Sequence, residues 1–162
     1  MTGKPAHRPA QIILPGAYPQ MLSRADAARA MRTLRAPETA ARAAQAMESS
    51  KPALREAVLA LVTGMEQAGT DAARVHEAVR EIRGLAETAG LTSTGRIAEV
   101  LCRYLDDMAR IGQPPDGTIA ALHVSAIARA ARAEKDDARM GDTVAAELAA
   151  LVSRKLADAR GG

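Results

Sequence analysis

Five residues within Val75–Gly90 (VHEAVREIRGLAETAG) have types and spacing that could handle charge. His76, Arg80, Arg83, Gly84 and Glu87 follow one another at steps of one turn or one residue. A helix therefore gathers them into a continuous strip. Histidine is the member able to act as a base or a nucleophile near neutral pH. The arginines are permanent cations that suit carboxylates or phosphates. Gly84 has a different use. A glycine inside a helix costs about 1 kcal/mol relative to alanine. On a solvent-facing strip it implies that something approaches the backbone closely, unless it is accidental or serves a tight helix–helix contact.

Other chemistry is sparse. The remaining histidines, His7 and His123, stand alone, and His123 sits between Leu122 and Val124, which suggests a half-buried ring. No CxxC, HExxH or glycine-rich phosphate loop is present, and no serine is flanked by a base in a recognisable motif. Glu77 and Glu81 form a like-charge pair one turn apart and read as solvated. Cys102, the single cysteine, lies on an apolar helical stripe and is expected to be buried and inert. These residues suggest neither an enzyme complete in itself nor a metal site nor a bound cofactor.

The elements that must position the strip are helical. Val75, Val79, Ile82 and Ala86, with Leu85 and Ala89 beside them, form an apolar stripe of helical period opposite the strip. Thr70-Asp71 supplies an N-cap and a first-turn acid, and Gly90 stands where a left-handed C-cap residue belongs. This gives a helix over 71–89, read as the central helix of a bundle. Apolar residues make up 48% of the 162-residue chain and aromatics 1%, and alanine is abundant. That composition predicts an all-α protein.

Along the chain, residues 1–22 hold four of the eight prolines and read as a flexible arm with a short apolar patch, Gln11–Leu14. Ser23 opens a helix to about Ala36. Pro37 starts a second, ending near Glu48, and Ser49-Ser50 with Pro52 restarts a third that ends near Gly69. Thr92, Ser93 and Thr94 are candidate caps for a helix carrying Ile97, Leu101 and Leu105. Its short link to the preceding helix requires an antiparallel hairpin. Gly112–Gly117 is a loop, a helix runs from Thr118, and Gly141-Asp142 marks a break before a last helix from Val144. The expected organisation is an arm (1–22) and one helical domain (23–160). Its core, 52–159, is an antiparallel four-helix bundle with additional N-terminal helices.

Net charge is +3, unevenly spread: residues 1–51 hold eight Lys/Arg against three Asp/Glu. No aromatic platform or nucleic-acid motif accompanies the basic segment, so no nucleic-acid partner is expected. No stretch reaches the ~20 apolar residues of a membrane span, and none resembles a signal-peptide core. With one cysteine and no such segment, the expected location is the cytoplasm.

The strip and the helix after it resemble histidine-containing phosphotransfer (HPt) domains. That family carries an H-x-[IL]-[KR]-G pattern followed by small residues and a second glycine. Here the matching run is Arg80-Glu81-Ile82-Arg83-Gly84, then Ala86, then Ala89-Gly90. Arg96-Ile97-Ala98-Glu99-Val100-Leu101-Cys102-Arg103-Tyr104-Leu105 is similar to the family's R-I-A-x-x-L-C-R-x-L-like run. The resemblance follows the helix order from about 58 to 156 and is specific over about 75 to 105. It implies a bundle of HPt type and a partner that is a response-regulator receiver domain or a histidine kinase. It gives Gly84 the role of admitting the receiver and Arg83 that of holding phosphoryl charge.

At the phospho-acceptor position this chain has Arg80. A guanidinium stays protonated and cannot accept the phosphoryl group there. The implied protein docks through His76, Arg80, Arg83, Gly84 and Glu87 without phosphotransfer, Arg80 reaching the receiver's acidic pocket. Two alternatives remain at this stage: phosphotransfer through His76, about 6 Å along the helix from Arg80 at 1.5 Å per residue, or a helical adaptor outside phosphorelays.

Overall fold

A computed structural model describes residues 23–161, with side chains described as far as Ala157. The arm expected over 1–22 lies outside the described residues. The elements are helices throughout: α1 (Arg24–Leu34), α2 (Pro37–Ala68), α3 (Ala72–Ala86), α4 (Thr92–Arg110), α5 (Gly117–Arg132) and α6 (Ala138–Gly161). Among the described residues there is no strand, and no helix is long and apolar enough to cross a membrane.

The chain divides into two compact units between Ala44 and Gln45, inside α2. The first contains α1, capped by Ser23, whose Oγ accepts the Asp26 N–H at 3.1 Å. None of its described side chains is buried. The second unit holds the core. Val58, Val62 and Met65 of α2 meet Val75, Val79 and Ile82 of α3, Ile97, Leu101 and Tyr104 of α4, Ile127 of α5 and Val152 of α6.

The centre belongs to α4, where the sequence pattern had pointed to α3. Nine α4 residues are buried, and the helix packs on α3, α5 and α6. Small side chains make this possible. Ser93, Thr94, Ala98 and Cys102 widen the buried side beyond the aliphatic stripe.

Three boundaries differ from the sequence reading. α2 does not stop at Glu48; it runs 32 residues through Pro52. An interior proline costs about 3 kcal/mol because it loses one helical bond and crowds a carbonyl. Pro52 and Glu48 are exposed, so water can take that carbonyl, and the helix beyond is anchored in the core. Second, Thr92, Ser93 and Thr94 do not cap α4; they form its first turn. The cap comes from the α5–α6 link, where Asp136 Oδ1 accepts the Ser93 N–H at 3.0 Å. Third, Gly141 lies inside α6 rather than at a break. Asp137 starts that helix by accepting the N–H groups of Arg139 and Met140. A Cβ on Gly141 would lie 2.6 Å from Ser93 Cα, so glycine is what lets α6 cross the start of α4.

Ties between helices complete the unit. Arg132 on α5 grips Glu66 on α2 with both guanidinium nitrogens, Nη1–Oε1 being 2.8 Å, and this pairing holds the Glu66 carboxyl below its usual range. Arg55 donates to the Ala133 carbonyl at 2.8 Å. Tyr104 accepts the Asp116 N–H at its hydroxyl at 2.6 Å, fastening the α4–α5 loop to the core. Replacing Gly141 by valine should destabilise the protein by about 1–3 kcal/mol through overpacking. Asp136→Ala should cost about 0.5–2 kcal/mol through the lost cap. Chemical denaturation monitored by circular dichroism measures both.

Candidate functional site

The site is built on the α3–α4 hairpin. α3 begins at Asp71, which is itself the N-cap and accepts the Arg74 N–H at 3.2 Å. It closes on Gly90 at φ +73°, where Leu91 donates to Ala86 O at 2.8 Å and Gly90 to Glu87 O at 3.0 Å. This is the paired-bond helix ending that a left-handed glycine permits. Leu91 is fully buried behind it. The chain reverses, and the two helices run antiparallel, as cross-contacts along their length show. Ala86 lies by Gly95, Arg83 by Glu99 and His76 by Asp106.

Val75, Val79, Ile82 and Ala86 are buried, so the strip opposite them projects as the helical period requires. His76, Arg80, Arg83, Gly84 and Glu87 all fall on it, and all but His76 are exposed. His76 is half-buried. Its Nε2 is shielded from solvent and makes no hydrogen bond among the described residues, while Asp106 Oδ1 lies 3.0 Å away as an ion-pair partner for the protonated ring. Arg83 donates to Glu99 Oε2 at 3.1 Å, and Arg103 donates to the other oxygen at 2.8 Å. The Arg103 bond, more than any other contact, holds the Glu99 carboxyl below its usual range. Arg80 makes no hydrogen bond or ion pair among the described residues. Gly84 is open: a Cβ there would meet nothing within 4 Å. That removes a tight internal helix contact as the reason for this glycine.

Beside the strip, Arg83, Glu87, Arg96, Glu99, Arg103 and Asp142 border a shallow cleft of about 380 Å³ over Gly95 and Val100. Arg96 pairs with Asp142 of α6 across it. The α4 and α6 members were absent from the sequence-derived site. Register alone leads to one of them, Glu99, and to Asp106 outside the cleft, since a hairpin turning at Gly90 sets Glu99 and Asp106 opposite Arg83 and His76.

Cys102 lies in the core among these charges. Burial pushes its thiol up; Arg83 and Arg80 pull it down, and Glu99 and Asp106 oppose them. It is a protonated core residue. His123 is fully buried, not half-buried, and its ring is near-parallel to Tyr104 with centroids 6.4 Å apart. A carbonyl only accepts, so the 2.8 Å contact to Ile119 O puts the ring proton on Nδ1. Nε2 has no partner. Burial lowers this pKa, the Ile119 bond opposing it. No group of three or more His, Cys, Asp or Glu side chains among the described residues could hold a metal ion.

The chain matches no family model, no curated protein and no solved structure.

Two measurements follow. Gly84→Ala should raise stability by up to about 1 kcal/mol, because alanine fits an open helical position better than glycine. The buried neutral His123 gives a pH window. Its folded pKa lies below the ordinary value of about 6.5. Its contribution is therefore complete above that pH and is lost as pH falls through it, where the unfolded chain takes up the proton first. Denaturation between about pH 7.5 and 5 should show this loss in wild type and a flatter profile in His123→Gln.

Proposed function

We propose that this protein is an HPt-like docking module of two-component signalling. It binds a response-regulator receiver domain or a histidine kinase through the α3 strip and does not itself carry a phosphoryl group. One observation supports the reading above the others. An unpaired cation, Arg80, and an open helical glycine, Gly84, stand one turn apart on the same exposed strip. Neither is explained by the protein's own packing. A charge without an internal partner and a backbone without a covering side chain are what a closely apposed acidic surface requires.

The neighbouring charges fit this reading. The cations on either side, His76 when protonated and Arg83, already have carboxylate partners on α4. Arg80 is thus the strip's uncommitted positive charge, placed to enter a partner's acidic pocket. The same geometry weighs against transfer through His76. An acceptor nitrogen must meet the phosphorus in line and unobstructed. The Nε2 of His76 is shielded and lies against the Asp106 carboxylate, which repels an incoming phosphoryl group. The hairpin and the core built around it are consistent with a bundle of HPt type, and a cytoplasmic location goes with such signalling.

Binding to a panel of receiver domains, read by fluorescence anisotropy, tests this. Arg80→Glu should weaken the interaction at least tenfold, about 1.4 kcal/mol. Gly84→Trp should abolish it by blocking close approach, with thermal melts of both variants near wild type. A receiver that binds both variants as tightly as wild type would exclude this face.

A further inference from the structure

α3 has a third side. One side is in the core and the second carries the strip. The third presents Arg74, Ala78, Glu81 and Leu85 at steps of four, three and four residues, all within one compact unit. With α2 it walls a shallow groove of about 540 Å³. The α2 wall is small: Ala57, Ala60 and Gly64, with Leu61 between them. Leu61 and Leu85 remain only half-buried.

Gly64 is the telling residue in this groove. Glycine within a helix is destabilising relative to alanine. A Cβ at Gly64 would meet nothing within 4 Å, so the folded chain gains no packing from its absence. A groove of alanine and glycine lets another helix approach closely.

Charge indicates which helix. Arg74, Glu77 and Glu81 are exposed and make no ion pair among the described residues. Arg74 precedes Ala78 by four residues and Glu81 follows it by three. A two-fold axis passing beside Ala78 would set Arg74 of each copy against Glu81 of the other, forming the same pair twice. Glu77, one residue from Ala78, also lines the groove and takes no part in these pairs. This patch is complementary to itself, as a closed two-fold interface requires.

We propose that the α2–α3 groove is the interface of a homodimer. Two copies pack antiparallel across α3 with reciprocal Arg74–Glu81 pairs. Small-residue packing drives the association, and the ion pairs set its register. The Arg80–Gly84 strip lies on a different side of α3 and stays free in the dimer. The inference does not depend on what that strip binds.

Sedimentation velocity of the full chain tests it, from about 1 to 300 µM to bracket weak and moderate association. Wild type should dimerise. Gly64→Trp has room in the monomer, so it should melt like wild type and sediment as a monomer. Arg74→Glu and Glu81→Arg should each raise the dissociation constant at least tenfold, and the double reversal should restore it. A monomer at every concentration would overturn the proposal. So would a dimer indifferent to Gly64→Trp, or single charge reversals that the double variant does not rescue.

Discussion

Gly90 takes the left-handed conformation, and its N–H and that of Leu91 close the last carbonyls of α3. Any side chain there would strain the turn. The start of α4 is thereby fixed against the end of α3, and antiparallel helices propagate that register along their whole length. It sets Gly95 under Ala86, Glu99 beside Arg83 and Asp106 beside His76. A shift of one residue in α4 would rotate its buried side by about 100°. It would scatter the carboxylates and expose Leu101, Tyr104 and Leu105. Core packing and surface charge therefore depend on the same turn.

The consequence is a graded distribution of charge on α3. His76 and Arg83 face carboxylates supplied by α4, and Arg103 makes the Glu99 side of the network stronger. Arg80, between them, has no such partner. Arg83 and Arg103 share the one carboxylate of Glu99 and His76 faces Asp106, which leaves Arg80 as the arginine of the strip with no carboxylate partner among the described residues. Exposed pairs of this kind add little to stability, usually below about 1 kcal/mol. Their greater effect is on which charges a partner meets.

Much of α3 was legible because one side chain period does two jobs. The spacing that buries Val75, Val79 and Ile82 also places His76, Arg80 and Arg83 outside, and Gly90 announces where the helix ends. The rest depended on contacts distant in sequence. Nothing near Ser93 shows that Asp136, on another link, caps its helix. Gly141 reads locally as a helix breaker, and only the crossing of α6 over Ser93 gives it a reason. Pro52 likewise marks a boundary by local rules, yet the anchored C-terminal half of α2 carries the helix through it. The flanking Leu122 and Val124 imply a half-buried His123, whereas its full burial comes from another helix, where its ring packs against Tyr104. Within the site the α3 residues are readable from their own period, and their carboxylate partners on α4 only through the hairpin register that Gly90 sets.

The proposed function separates binding from chemistry, so the most direct test measures both in one sample. The protein is incubated with phosphorylated receiver domains from its own organism and examined for an acid-labile phosphoryl group, while receiver binding is followed in parallel. The account predicts receiver binding with no label on this chain. An acid-labile label that disappears in His76→Ala would contradict it and make this a phosphotransfer protein whose acceptor sits one turn before Arg80.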